Sequence, residues 1–323
     1  MRSFSSLPPR FLLRGSAIAL AVCLPLRVVA ALQADPALDH GRHLTTWLLD
    51  GRTDSLYSQM APAFRTSIGG RSGLAKVLEQ VGDLGPEAGT PDEVVYRENG
   101  SVSYYRIGRF EALPSGTIHW IWDSAGTIQG LLVRPTPPEA PSKFAERPTR
   151  ASLRLPFDGA AYVAWGGRAA HENYHVESAD QRFAYDFFPA GCPGTPILAP
   201  ARGTVRAALD TVADNAPGRM NALIPPGNHV IIDHGRGEFS VLAHLRRGSV
   251  RVRRGQRVEA GEPLGACGNS GNSSAPHLHY HLQTESRAGA GAGLPAQFHD
   301  YRVDDGEVRT GEPVRGQMVE AAP

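Results

Sequence analysis

The chain has almost no net charge: 33 lysines and arginines face 32 aspartates and glutamates among its 323 residues, which leaves a formal charge of +1. This balance provides no global basic field, so we expect no nucleic-acid partner. Arginine is concentrated only at positions 246–257, a run typical of a solvated surface that could also attract an anionic polymer. The hydrophobic fraction of 41% is ordinary for a soluble globular protein.

Long apolar runs are also lacking. The most apolar stretch, Ser16–Leu26, is too short to span a bilayer comfortably; arginines precede it and small residues follow it. Residues 1–34 therefore predict a secretory signal peptide and an exported chain, periplasmic or extracellular, with no membrane span after cleavage. An uncleaved N-terminal anchor is an alternative, as is lipidation of Cys23, which Val22 disfavours because a small residue is expected there.

Cysteine is scarce, with three residues in the chain. Only Cys192 and Cys267 would remain after cleavage of the signal peptide. In an oxidising compartment these two could form one disulfide, or they could be two separate buried thiols. The sequence gives no distance between them and leaves both possibilities open.

The first half predicts an α+β accessory domain over residues 35–134. Apolar residues recur at helical spacing over 36–83, and strand patterns separated by turn signals follow. These strand patterns lie at 94–96, 102–107, 117–122 and 128–133. Helices followed by an antiparallel meander resemble the nuclear-transport-factor-2-like fold. The aromatic residues of the strands are expected in the core, although they could line a cavity.

A proline-rich linker is predicted over residues 135–156. From residue 157 to 315 helical periodicity is nearly absent, and short apolar runs bounded by Gly, Pro and Asn predict a mainly-β domain of short antiparallel strands. A terminal strand is possible within 301–314, and residues 316–323 are expected to be a frayed tail.

The strongest chemical signal is the segment His277-Leu278-His279-Tyr280-His281-Leu282. Alternate residues of a strand share a face, so the three histidines point one way and the apolar residues point the other. Same-face histidines indicate a metal site, and His277 with His279 form its core. His281 lies further along and could either support the site or lie at the surface. The glycine-rich turn at 265–274 lacks the Lys-Ser/Thr ending and following helix of a nucleotide-binding loop.

The histidine pattern favours a zinc hydrolase. Such an enzyme needs about three protein ligands and an open position for water. Asp186 is the best carboxylate, because an acid within an apolar strand is costly unless it is bound to a metal or paired, here with Arg182. A further histidine must come from upstream. His175 is preferred to His171, since it is nearer to Asp186 and flanked by Tyr174 and Val176.

Several segments together resemble the LytM/lysostaphin-type zinc metallopeptidases, which cut peptide bonds in peptidoglycan. These segments are GTPILAPARGTV, GNHVIIDHG, SVLAHL and VRRGQRVEAGEPLGACGNSGNSSAPHLHYHL, within residues 194–283. The resemblance implies that His279 and Asp186 are zinc ligands and that His244 and His277 are non-ligand catalytic histidines. The common pattern has a zinc histidine four residues before the aspartate. Arg182 stands there, and His175 is expected to replace it.

The resemblance implies a secreted zinc metalloendopeptidase, with one Zn²⁺ per chain, that hydrolyses peptide cross-links or stem peptides of peptidoglycan. One alternative is an inactive protein of the same type that binds peptidoglycan or regulates amidases. Another is a toxin directed at other cells. Leu242, where many relatives carry tyrosine, is a second departure and is expected to have a modest effect.

Overall fold

The computed structural model describes residues 35–98, 100–216, 219–304 and 306–321. The predicted signal peptide, residues 1–34, lies outside the described residues. From Pro36 onward the described part of the chain forms one compact unit. Across these ranges, no helix is both long enough and apolar enough to cross a membrane.

Helices precede a meander in the first half, as predicted. The helices are α1 (Pro36–Leu49), α2 (Thr53–Gln59), α3 (Pro62–Ser67) and α4 (Gly70–Gly82). The strands are β1 (Glu87–Glu98), β2 (Ser101–Phe110), β3 (Gly116–Asp123) and β4 (Ile128–Pro135). They form an antiparallel sheet in the order β1-β2-β3-β4.

The helices and this sheet share an apolar core. Leu44 and Leu48 of α1 and the Trp120 and Tyr104 side chains of the sheet are at most 1% exposed. The expectation that the strand aromatics are core residues is therefore confirmed. Gly41 lets α1 approach the sheet closely, because a Cβ at that position would lie 2.4 Å from the Tyr104 ring. The resemblance to the nuclear-transport-factor-2-like fold remains a prediction.

The second half is mainly β, as predicted. Its strands are β5 (Ala160–Trp165), β6 (Tyr185–Pro189), β7 (Pro196–Leu198), β8 (Gly203–Leu209), β9 (Asn228–Asp233), β10 (Phe239–Leu245), β11 (Arg257–Val258), β12 (Pro263–Ala266), β13 (Leu278–Gln283), β14 (Gly293–Leu294), β15 (Phe298–Val303), β16 (Gly306–Gly311) and β17 (Met318–Ala321). A 3₁₀ helix covers Tyr174–Glu177.

A large antiparallel sheet runs in the order β11-β8-β9-β10-β13-β6-β5-β17-β15-β16, with β14 beside β13. β13 lies between β10 and β6, in the middle of this order. On its core-facing side Leu278, Tyr280 and Leu282 are fully buried. The predicted alternation of this strand is therefore confirmed, since the histidines share the opposite side.

Two predicted boundaries differ from the structure. The sequence predicted a linker through residue 156, whereas Leu153 and Leu155 lie in the core of the second half. The sequence predicted a frayed tail over 316–323, whereas Met318–Ala321 pairs with both β5 and β15 and Val319 is fully buried. Both segments carry only one or two apolar residues in a row among polar, glycine or proline residues, so local pattern does not reveal that they pack into the sheet.

Cys192 and Cys267 form a disulfide with their Cα atoms 5.5 Å apart. Of the two possibilities left open by the sequence, the structure has the bond. Cys267 also forms an isolated bridge with Leu245, and its neighbour Gly268 forms one with His277. Through these bridges the disulfide lies beside the segments that carry His244 and His277.

Candidate metal centre

The structure brings together the three residues predicted as metal ligands. His175, Asp186 and His279 are 3%, 3% and 6% exposed, and each offers a ligand atom within 4.8 Å of the other two. Asp186 Oδ1 lies 3.6 Å from His175 Nε2 and 3.0 Å from His279 Nδ1. His171 is not part of this group; its backbone carbonyl accepts a hydrogen bond from Arg315.

His175 is held by the short 3₁₀ helix and by Asn173, the residue that caps it. The Asn173 Oδ1 atom accepts hydrogen bonds from the His175 backbone N–H at 3.1 Å and from His175 Nδ1 at 2.8 Å. The Asn173 amide donates to the carbonyls of Gly167 and Ala184, and the residue is fully buried. Because Nδ1 donates to Asn173, the lone pair of His175 lies on Nε2, which faces Asp186.

Asp186 and His279 are neighbours across the sheet, since they form a register pair between β6 and β13. The alternative partner considered for Asp186 is wrong: Arg182 pairs with Glu139 at 2.7 Å. The second oxygen of Asp186 accepts a hydrogen bond from the Tyr174 hydroxyl at 3.2 Å. Both oxygens of the carboxylate are thus engaged with groups of the site.

The two predicted catalytic histidines lie beside this group. His277 Nε2 is 3.4 Å from Asp186 Oδ1, and the ring centroids of His244 and His277 are 4.8 Å apart. Each ring directs Nδ1 to a backbone carbonyl at 2.8 Å, that of Ala275 for His277 and that of Ser270 for His244. Nδ1 is therefore the protonated nitrogen in the neutral rings. Nε2 is the acceptor, and in His277 a proton taken up there faces the Asp186 carboxylate.

His244 reaches this position through an unusual backbone conformation. Its φ is +62°, and the pairing of β10 with β9 shifts register between Leu242 and Leu245. A left-handed residue other than glycine is uncommon and such conformations cluster at functional sites. The strand signal at 240–245 predicted β structure at His244, but nothing in it predicted this bulge.

The glycine-rich turn after β12 packs against backbone beside His244. A Cβ on Gly268 would lie 2.3 Å from the Arg246 backbone nitrogen, and one on Gly271 would lie 2.4 Å from that of Gly227. The turn therefore passes close to the backbone of both neighbouring segments. It positions Ser270, whose carbonyl holds His244, and Ser273, whose hydroxyl is 3.2 Å from His277 Nδ1.

Burial is the largest single influence on the pKa of each of four groups in the cluster, and neighbouring charges reverse its effect at two of them. It lowers the pKa of His175 to about 3 and holds the pKa of His244 well below its ordinary value. Burial also opposes ionisation of Asp186, but the surrounding histidines outweigh it and leave the pKa of that carboxyl well below the usual range. For His277, burial is outweighed by the charge of Asp186, which raises the pKa.

The donor set fits a zinc ion. Two imidazole nitrogens and one carboxylate are ligand types that zinc prefers, and three protein ligands leave a fourth position for water or substrate. The outer nitrogens of both histidine ligands are also occupied: His175 Nδ1 contacts Asn173 and His279 Nε2 contacts His281 at 2.9 Å. Hydrogen bonds of this kind orient histidines that bind metals.

Sequence reasoning missed Asn173, Tyr174 and Gln283 as members of the site. Asn173 had a detectable signal, because an asparagine two residues before a candidate ligand histidine can cap the local turn. Tyr174 was noted only as an apolar flank of His175. No sequence signal identified Gln283, which contacts His281 and is held by the backbone carbonyls of the loop that follows β13.

Comparison with known proteins agrees with this geometry. Residues 185–290 match the model of Peptidase family M23. An uncharacterized metalloprotease of Haemophilus influenzae is 40% identical over 95 residues, 29% of this chain and 17% of that protein. Peptidoglycan DD-endopeptidase ShyA of Vibrio cholerae is 30% identical over 153 residues, 45% of this chain and 35% of that protein. The chain thus matches about a third or less of the length of these curated relatives.

Among solved structures, the catalytic domain of lysostaphin from Staphylococcus simulans is 24% identical over 41% of this chain and 85% of that chain, with a TM-score of 0.29. The assignment depends on the family model and the curated relatives, not on this low structural similarity. The matched residues contain Asp186, His244, His277 and His279, while His175 precedes them. The resemblance found in the sequence is confirmed: residues 185–290 match Peptidase family M23.

Proposed function

We propose that this chain is an exported zinc metalloendopeptidase that hydrolyses peptide cross-links or stem peptides of peptidoglycan. The observation that carries the proposal is the convergence of His175, Asp186 and His279 on one buried point, with two further imidazoles beside it. The substrate class is supported by the names of similar proteins, since two relatives from Vibrio cholerae are peptidoglycan DD-endopeptidases. Export is supported by that substrate and by the disulfide.

His175 Nε2, Asp186 and His279 Nδ1 would hold the metal. Bound zinc supplies a water of lowered pKa and polarises the scissile carbonyl. The protein provides the groups that handle protons around it. His244 and His277 both direct Nε2 away from their carbonyl partners, so one can accept the proton of the attacking water and the other, when protonated, can donate to the developing oxyanion.

The backbone carbonyls of Ser270 and Ala275 contribute to this chemistry indirectly. Each accepts the Nδ1 proton of its histidine at 2.8 Å and therefore fixes the tautomer and the ring plane. A ring held this way stabilises positive charge when its Nε2 takes up a proton, because the Nδ1–H bond strengthens. The site is thus prepared for proton transfer before substrate binds.

The decisive experiment is mass analysis of muropeptides after the purified protein has been incubated with isolated sacculi and cross-linked muropeptides. We expect new peptide ends with wild-type protein and none after zinc removal or with His279→Ala or His277→Ala. A matched control is His299→Ala, which removes a histidine that hydrogen-bonds Thr310 outside the cluster. Stoichiometric zinc without any cleavage would favour a peptidoglycan-binding or amidase-regulating protein, and absence of zinc would overturn the proposed metal centre.

A further inference from the structure

A line of polar side chains extends from the candidate metal centre along β13. His279, His281 and Gln283 alternate on one side of the strand and are 6%, 3% and 0% exposed. His279 Nε2 lies 2.9 Å from His281 Nδ1, and His281 Nε2 lies 2.9 Å from Gln283 Oε1. Three adjacent polar groups in the interior are costly to bury unless their donors and acceptors alternate correctly.

Gln283 fixes the direction of the hydrogen bonds along this line of side chains. Its amide nitrogen donates to the backbone carbonyls of Glu285 at 2.6 Å and Arg287 at 2.8 Å. The reversed amide would direct Oε1 at two carbonyl oxygens and would leave all three acceptors without a donor. The loop that follows β13 therefore fixes Gln283 with Oε1 facing His281.

The proton positions follow from this fixed end. Since Gln283 Oε1 can only accept, His281 Nε2 carries a proton and donates it, and the neutral His281 ring accepts at Nδ1. His279 Nε2 must then be the donor to His281. In the neutral His279 ring Nδ1 is then unprotonated. Nδ1 lies 3.0 Å from Asp186 Oδ1, so these two acceptors can share a bound cation, whereas in the metal-free protein a proton on Nδ1 would bridge them.

We propose that His281 and Gln283 are positioning residues that fix the tautomer and ring orientation of His279, so that its Nδ1 lone pair is presented to a zinc ion. The inference rests on the proposed metal centre and deepens it. Asn173 has the equivalent role at His175, but there a single side chain suffices because it is anchored directly to Gly167 and Ala184. For His279 the anchor is the backbone of Glu285 and Arg287, which acts on the ring only through Gln283 and His281.

The test compares two substitutions of His281. His281→Leu removes the acceptor for His279 Nε2–H, and we expect zinc affinity, measured by chelator competition, to fall about 10- to 100-fold. His281→Asn keeps an acceptor close to the position of Nδ1 and is expected to retain affinity within about threefold. Nitrogen-15 NMR of the imidazoles in metal-free protein should show a protonated Nε2 on His279 in wild type and in His281→Asn. In His281→Leu the proton should leave Nε2 in favour of Nδ1, which faces Asp186.

His234→Leu is the matched control. His234 also hydrogen-bonds through both ring nitrogens, to the Arg202 carbonyl and the Ser240 hydroxyl at 2.8 Å each, but it contacts none of the proposed ligands. Its loss should affect stability without lowering zinc affinity. If His281→Leu does not fold, Gln283→Met retains His281 but frees its orientation, and we expect a smaller loss of affinity in the same direction.

The outcomes separate the two proposals. Wild-type protein that binds no zinc overturns the proposed function, while the NMR measurement still tests the tautomer. Wild-type protein that binds zinc, together with unchanged zinc affinity and an unchanged His279 tautomer in both His281→Leu and Gln283→Met, overturns the positioning role alone.

Discussion

Replacement of Asn173 by alanine tests whether the buried residues around the candidate metal centre stabilise it and determine its affinity for zinc. Asn173 is fully buried and makes four hydrogen bonds, two accepted from His175 and two donated to the carbonyls of Gly167 and Ala184. Alanine would leave these groups with no partner from residue 173. A buried group without a partner costs about 1–3 kcal/mol, and partial rehydration of the space reduces the sum, so we expect a loss of about 2–4 kcal/mol in the free energy of unfolding.

The same substitution should weaken zinc binding, because the His175 ring loses the group that fixes its tautomer. Second-layer partners of this kind are worth about 10- to 100-fold in metal affinity. Zinc affinity would be measured by chelator competition at a temperature where the variant is folded, and stability by thermal unfolding of the metal-free protein, for which we expect a decrease in Tm of roughly 3–7 °C.

Asn228→Ala is the matched control. Asn228 is also fully buried and makes three side-chain hydrogen bonds, to Val212 N, Val212 O and Leu245 O, but it does not contact His175. It should lose comparable stability with less than about a threefold change in zinc affinity. The reasoning is refuted if Asn173→Ala and Asn228→Ala change zinc affinity equally, since the effect would then come from general destabilisation.

Further predictions concern stability and metal dependence. Reduction of the Cys192–Cys267 bond should lower the free energy of unfolding by about 4 kcal/mol, because the bond closes a loop across 75 positions; equal unfolding midpoints with and without reductant would contradict this. Burial raises the pKa of Glu93, but hydrogen bonds from Arg42 and Tyr104 outweigh it and leave the pKa below its ordinary value. The resulting stabilisation is complete above the unfolded pKa of about 4.3 and disappears as the pH falls through the folded value, so Glu93→Gln should flatten the acid limb of a stability–pH curve. Gly41→Ala should destabilise the protein by about 1–3 kcal/mol in denaturant titration, since its Cβ would overlap the Tyr104 ring, whereas Gly82→Ala has open space and should not. Zinc removal should lower the Tm, and addition of one equivalent should restore it; an unchanged Tm would count against a zinc site in the folded protein.

Most members of the candidate site could be predicted from residue type and spacing. The period-two pattern His277-Leu278-His279-Tyr280-His281 specifies a strand with imidazoles on one side, and the structure has that strand with Leu278 and Tyr280 in the core. Asp186 was recognisable because a carboxylate among buried apolar residues requires a partner. The preference for His175 over His171 was also drawn from sequence, and the structure brings His175 to the other candidate ligands.

The groups that fix the proton on each imidazole, and the strand pairing of the C-terminal segment, could not be predicted from local pattern. Ser270 and Ala275 contact histidines through backbone carbonyls, which every residue carries, so residue type gives them no signal. Asn173 and Gln283 contact histidines through side-chain amide oxygens, and only the fold shows which histidine each one meets. Pairing of β17 with β5 likewise joins segments far apart in the chain. Local pattern encodes which face a side chain takes, whereas a hydrogen bond between distant segments depends on how the whole sheet brings them together.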